Sequence, residues 1–139
     1  MDIIRYSLKE RGKLLKDIPV LQKMCGYFTP LEEWLLDKIK NASDILYAVK
    51  ENEILGFLIA DKKETHLEIE LICVSIKGRE IKGIGTTLMK VAETIAKEYR
   101  LPEIRLDAQF EAEGFYKKLN YTNYKRDDHG VSMKKTINA

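Results

Sequence analysis

The sequence predicts an α+β fold built on a mixed sheet, on three observations. The apolar period changes near residue 45, from helical spacing before it to short strand-like runs after it. Residues 66–76, HLEIELICVSI, alternate polar and apolar at first and then turn apolar on both faces. A strong amphipathic stripe, Leu88, Val91, Ala92, Ile95, Ala96 and Tyr99, follows two closely spaced glycines.

Ile3, Ile4 and Tyr6 predict a short opening strand. Leu14, Ile18, Leu21 and Cys25 predict a helix within 13–26. Pro19 moves its start toward Asp17, because proline lacks the amide that an interior turn needs. Thr29-Pro30-Leu31-Glu32 reads as a capping threonine, a proline in the first turn and a glutamate three residues past the cap. Leu31, Trp34, Leu35 and Ile39 then form the apolar stripe of a second helix that stops at Asn41. Residues 45–49 and 54–60 predict an antiparallel hairpin turning at Glu51-Asn52-Glu53. In the strand at 66–76, Leu67, Ile69 and Leu71 are expected on one face, with Glu68 and Glu70 on the other. Its apolar second half is expected in the sheet centre. Pro102 ends the long helix, and 104–108 is a strand. A short helix at 112–119 and strands at 121–125 and 131–137 complete the order β-α-α-β-β-β-α-β-α-β-β, read as a single domain over 1–139.

Composition narrows the function. At 45% hydrophobic and 33% charged, the 139 residues suit one soluble core. No apolar run approaches the roughly 18 residues that span a bilayer. The opening MDIIRYSLKERGK lacks the apolar centre of a signal peptide. The expectation is a cytoplasmic protein with no membrane partner. The 24 basic and 22 acidic residues are interspersed and net +2, which argues against nucleic acid as the main partner. Cys25 and Cys73 are far apart, and the only histidines, His66 and His129, give no zinc-ligand spacing. Neither a metal nor a disulfide framework is expected. A homodimer is left open.

The most informative stretch is Lys82-Gly83-Ile84-Gly85-Thr86-Thr87, where the long helix begins. The first amides of a helix have no internal partner and sit at the positive end of its dipole. Glycine lets a phosphate approach them without a Cβ in the way. Together these features make a pyrophosphate cradle, although Gly-x-Gly also serves as a plain tight turn. Other nucleotide motifs fail: there is no Gly-Lys-Ser/Thr after a four-residue gap, and Leu88 stands where a dinucleotide fingerprint needs its third glycine.

ELICVSIKGREIKGIGTTLMKVAE resembles the acetyl-CoA motif of the GNAT superfamily of N-acetyltransferases. LDAQFEAEGFYKKLNY is similar to the superfamily's second signature, a strand followed by Asn-x-x-Ala-x-x-Phe-Tyr-x-Lys-x-Gly-Phe. The likeness runs over 44–137 and reaches 1–43 only by position. It implies a GNAT-like mixed, mostly antiparallel central sheet with helices on both faces. It also implies acetyl-CoA as co-substrate and direct transfer of its acetyl group to a primary amine. The acceptor would be a small amine, an amino sugar, or a protein lysine or N-terminus.

By the same resemblance the pantetheine lies between two splayed parallel strands, 66–76 and 103–109. Backbone groups of Cys73, Val74 and Ser75 would hold the thioester arm. The amides of Lys82, Gly83, Ile84, Gly85 and Thr86 would take the pyrophosphate, with Arg79 and Lys82 adding charge. The chain departs from the pattern in three places. Glu80 stands where glutamine or arginine is expected, with Arg79 one place earlier, and which of the two fills the position is open. Gln109 replaces an asparagine near the cofactor, and Asn120 replaces the final glycine.

Acetyl transfer needs a neutral amine, hence a base that removes an ammonium proton. Glu70, where the strand passes from half-exposed to buried, is the leading candidate, and Glu68 on the same face is the alternative. Tyr116 matches the family tyrosine that protonates the departing CoA thiolate. Cys73, on an apolar strand with no histidine nearby in sequence, reads as a small core residue rather than an acyl-carrying nucleophile. Glu64, Glu68 and Glu70 would favour a cationic acceptor if they line the mouth. Two competing functions remain: a non-catalytic acyl-CoA-binding regulator of the same fold, and a protein-interaction domain that docks through 86–99.

Overall fold

The computed structural model describes residues 1–26 and 29–137. Strand β1 (Asp2–Tyr6) leads into a 3-10 helix, Leu8–Asp17, whose Glu10 carboxylate accepts the Ser7 amide at 2.9 Å. It continues directly as α1 (Ile18–Met24), with Pro19 in the first turn, where a missing N–H leaves no helical bond unmade. Helix α2 (Glu32–Asn41) buries Leu35 and Ile39. Its N-cap is Leu31, which is exposed, and not the expected Thr29. The Thr29 hydroxyl donates instead to Gly26 O at 2.7 Å.

Strands β2 (Asp44–Lys50) and β3 (Glu53–Lys62) form the expected hairpin. Glu51 and Asn52 both have positive φ, 50° and 64°, the turn whose twist matches that of the flanking strands. Strand β4 (Leu67–Val74) pairs antiparallel with β3, but Ile59 faces Leu71 while Ala60 faces Ile69. Glu70 is therefore the extra residue of a β-bulge. One extra residue reverses the side-chain alternation beyond it. Leu67 and Ile69 pack in one core, whereas Leu71 and Cys73 pack in the other. The expectation that Leu67, Ile69 and Leu71 share a face is corrected by this bulge.

The stretch after β4 contains an unexpected short helix, α3 (Ile76–Glu80), capped by Ser75, whose Oγ accepts the Gly78 amide at 2.9 Å. Helix α4 (Ile84–Glu98), β5 (Glu103–Ala108), α5 (Glu113–Lys118), β6 (Thr122–Arg126) and β7 (Val131–Thr136) follow. The sheet order is β1-β2-β3-β4-β5-β7-β6, and only β4 and β5 run parallel. One core joins α1 and α2 to the sheet through Leu21, Leu35, Ile39, Tyr47 and Phe57. The other joins α4 through Leu88, Met89, Ala92 and Ile95 to Leu58, Leu67 and Ile104. This is the predicted α+β architecture. No described helix is long and apolar enough to cross a membrane.

Arg11, 2% exposed, ties the first helical layer to the sheet. Its guanidinium donates to Tyr6 O (3.1 Å), Ile39 O (3.1 Å), Ala42 O (2.8 Å) and Ser43 O (3.2 Å), so it closes the carbonyl end of α2. Arg11→Met would leave several buried carbonyls unpaired at about 1–3 kcal/mol each, offset in part by removing a buried charge. The expected loss is about 3 kcal/mol of unfolding free energy, read by urea denaturation. A loss under about 1 kcal/mol would show that these bonds contribute little net stability.

Candidate functional site

β4 and β5 share only three residue pairs, Leu67 with Ile104, Glu68 with Arg105 and Ile69 with Leu106. Past Ile69 they part, because each follows its own antiparallel neighbour. β4 stays with β3 as far as Gly56, and β5 stays with β7 along its whole length. The second half of β4, predicted to lie in the sheet centre, is consequently half-exposed. It forms one wall of a cleft of about 230 Å³ lined by Glu70, Ile72, Val74, Arg79, Gln109 and Tyr116, among others. The cleft continues, past the shared residues Val74, Arg79 and Tyr116, into a wider hollow of about 510 Å³ bounded by Lys82, Gly83, Gly85 and Phe115.

Ser75 N–H donates to Leu55 O at 2.9 Å, so its amide faces β3, while its carbonyl accepts from the Arg79 amide in α3 at 2.9 Å. Backbone direction alternates along a strand. Cys73 and Leu71 therefore also face β3, and the peptide groups of Ile72 and Val74 face the cleft. Of the three residues expected to hold a thioester arm, only Val74 presents its backbone there. Ser75 lies outside the cleft lining altogether. The sequence does not single out Ile72, because a bulge upstream leaves no mark in it that fixes the parity after it.

At the head of α4, Gly83 is the N-cap with φ 90°, a left-handed conformation that L side chains adopt only with strain. The first helix amide with an acceptor is that of Thr87, bonded to Gly83 O at 2.8 Å. Among the described residues, the amides of Gly83, Ile84, Gly85 and Thr86 reach no backbone carbonyl. Ile84 is buried and anchors the turn. Gly85 has a packing role: a Cβ there would lie 3.2 Å from Phe115 Cζ. Arg79 and Lys82 are exposed at the rim and form no ion pair among the described residues. Arg79 borders both hollows and Glu80 borders neither. The result is a set of unpaired donors and two cations at one end of a groove, an arrangement that suits a phosphate-bearing ligand.

Glu70 and Tyr116 lie on the narrower part of the groove. The Glu70 carboxylate is 3.7 Å from Lys38 Nζ, which also donates to Asp61 Oδ2 at 2.7 Å and lies 5.8 Å from the Trp34 ring centroid. The sequence does not mark Lys38 and its partner Asp61, since Lys38 reaches Glu70 only through the folding of α2 onto the sheet. Glu68 does not line the cleft. Burial raises its carboxyl, an effect opposed by His66, whose Nε2 lies 3.0 Å from Glu68 Oε1. Tyr116 is buried and packs edge-on against Phe115 and Tyr121. Burial pushes its phenol up to about 12. Among the described residues its hydroxyl has no hydrogen-bond partner, so it is free to meet a ligand in the groove. Gln109 borders the cleft as the N-cap of a 3-10 turn, Phe110–Ala112.

Cys73 is not a free core thiol. It is bonded to Cys25, with Cα atoms 5.2 Å apart, and both line the cleft. The expectation against a disulfide rested on a sequence separation of 48, which says nothing once α1 has folded across β4.

A family model described as Acetyltransferase (GNAT) family matches residues 13–121. No curated protein sequence matches the chain. Among solved structures, Ard1 from Thermoplasma volcanium superposes with a TM-score of 0.82 at 18% identity, over 99% of this chain and 98% of its own. An aminoglycoside 6'-acetyltransferase type Ii gives 0.80 at 22% identity, over 100% and 99%. The PaiA N-acetyltransferase from Thermoplasma acidophilum, solved in complex with coenzyme A, gives 0.71 at 22% identity, over 98% and 99%. At such identities the superpositions establish the fold, and the model match over most of the sequence establishes the kinship: the chain belongs to the GNAT acetyltransferase family.

Proposed function

We propose that the chain is a single-domain N-acetyltransferase that moves the acetyl group of acetyl-CoA directly to a primary amine. The observation that carries this reading is the alignment of two sets of unpaired donors. The Gly83–Thr86 amides stand at one end of the groove, and the cleft-facing peptide groups of Ile72 and Val74 stand along it. A diphosphate at the first set leaves an extended arm running along the second, where it adds to the parted sheet as a strand would. Arg79 and Lys82 flank the diphosphate.

The amine acceptor enters beside Glu70, whose carboxylate takes the ammonium proton. The neutral amine attacks the thioester carbonyl, and a cleft-facing amide of β4 receives the developing oxyanion. As the tetrahedral species collapses the C–S bond breaks, the CoA sulfur leaves with the electron pair, and the proton that the attacking nitrogen sheds ends on that sulfur to give the free thiol. With its phenol near 12, Tyr116 stays protonated throughout the working range and donates a hydrogen bond to that thiolate. It need not surrender its proton, which a weak acid of this strength gives up poorly. The names of two structural neighbours, an N-acetyltransferase and an aminoglycoside acetyltransferase, are compatible with an amine acceptor.

Removing the phenol oxygen tests this assignment. Tyr116→Phe should lower kcat by about 10–100-fold, equivalent to one charge-assisted hydrogen bond of about 1.5–3 kcal/mol. No alkaline loss of rate attributable to Tyr116 is expected below about pH 10, since a raised phenol pKa keeps the proton on. A kcat equal to wild type would remove Tyr116 from the reaction. The reading as a whole is tested by a CoA thermal-shift measurement followed by an amine panel monitored for free thiol. At a hundredfold excess over Kd, CoA should stabilise the fold by about 2.7 kcal/mol. Stabilisation without thiol release from any amine would identify a CoA-binding protein that does not catalyse; no stabilisation would remove CoA altogether.

A further inference from the structure

The bond between Cys25 and Cys73 is not used by the proposed chemistry, yet it forms part of the groove wall. Cys73 belongs to the half-exposed run of β4, and Cys25 is the C-cap of α1. Both border the same cleft as Glu70 and Tyr116, and neither is fully buried. A thiol that fits the cleft can therefore reach the bond from within it. The bond also ties the C-cap of α1 covalently to β4, beside the core packing of Ile18, Leu21 and Met24.

We propose that Cys25–Cys73 is a reversible thiol-exchange site, opened by a free thiol that enters through the cleft, and that opening it releases α1 from β4. A thiolate attacks one sulfur of the pair, a mixed disulfide forms, and the other cysteine leaves with the electron pair and takes up a proton. A second thiol removes the first as a small disulfide, leaving two cysteine thiols. A low-molecular-weight disulfide reverses both steps and closes the bond again. The site stands whether or not the chain acetylates an amine. If the proposed function holds, one thiol brought to this wall is CoA, the reaction's own product. Opening would loosen the wall beside Glu70, while the diphosphate end at Gly83–Thr86 lies on a different element and would keep its geometry.

The test uses the intact protein with glutathione and, in a separate arm, with CoA, followed by intact mass and by hydrogen exchange. Either thiol should convert the bonded form through a mixed disulfide to the two-thiol form. Amide exchange across Ile18–Met24 should then rise by about tenfold or more, with that of α4 unchanged. Glutathione disulfide should restore the protection. A Cys25→Ser, Cys73→Ser double variant should exchange like the opened form and ignore both thiols; should it fail to fold, the reduction and reoxidation of the wild type decide the matter. CoA faster than glutathione at equal concentration assigns delivery to the groove, and equal rates assign it to soluble thiols. The proposal is overturned if both thiols leave the bond intact under native conditions, if α1 exchange is the same in both states, or if the isolated protein has two free thiols that glutathione disulfide does not join. A CoA thermal shift run alongside separates a failure of this site from a failure of CoA binding.

Discussion

Glu70→Gln is expected to lower kcat by about 10²–10⁴ and to leave CoA-induced stabilisation intact. The size follows from the role. An amine acceptor is mostly protonated near neutral pH, and a carboxamide cannot accept its proton, whereas the shape of the wall is nearly unchanged. The position is set by structure, because Glu70 is the extra residue of the β4 bulge at the point where β4 and β5 separate. Lys38, hydrogen-bonded to Asp61 at 2.7 Å, stands 3.7 Å from the carboxylate as a longer ion pair. The comparison with Glu68→Gln is informative, since Glu68 is engaged with His66 and does not border the cleft. Its substitution should change kcat by less than about threefold, outside the range of a lost general base. Steady-state rates with saturating acetyl-CoA measure both. If Glu70→Gln turns over as wild type does, another group removes the proton.

Gly83→Val is expected to abolish the CoA thermal shift, a loss of about 2.7 kcal/mol of ligand stabilisation at a hundredfold excess over the wild-type Kd. Two effects act together. At φ 90° a β-branched residue is strained by about 1–3 kcal/mol and will rotate the turn. A turn rotated there no longer aims the Ile84, Gly85 and Thr86 amides at one point. The added side chain also stands in front of the amides that the diphosphate must approach. A Cβ at Gly83 meets no protein atom within 4 Å, so the substitution creates no clash inside the fold. The unliganded protein should lose only the strain energy, visible as a modest drop in Tm. An unchanged CoA shift would place the diphosphate elsewhere.

Much of the fold was legible because its elements are separately marked. The α4 stripe and the hairpin at Glu51-Asn52 each satisfy one period or one turn chemistry, and each appears where the sequence puts it. The Gly83 turn was legible for the same reason, since a left-handed N-cap followed by unpaired amides is a local property. What escaped notice depends on pairing between distant segments. The Glu70 bulge arises from how β3 meets β4, and it alone decides that Leu71 changes face and that Ile72, rather than Cys73, opens to the groove. The apolar second half of β4 looked like sheet interior because the sequence does not reveal that β5 turns away with β7. The bond from Cys25 to Cys73 and the approach of Lys38 to Glu70 likewise exist only after α1 and α2 settle on the sheet.

The crystal structure of the complex with CoA tests the central claim most directly. The account predicts diphosphate oxygens within hydrogen-bonding distance of the amides between Gly83 and Thr86, and a pantetheine arm bonded to the peptide groups of Ile72 and Val74. A ligand seated away from the head of α4, or an arm that bypasses the gap between β4 and β5, would contradict it.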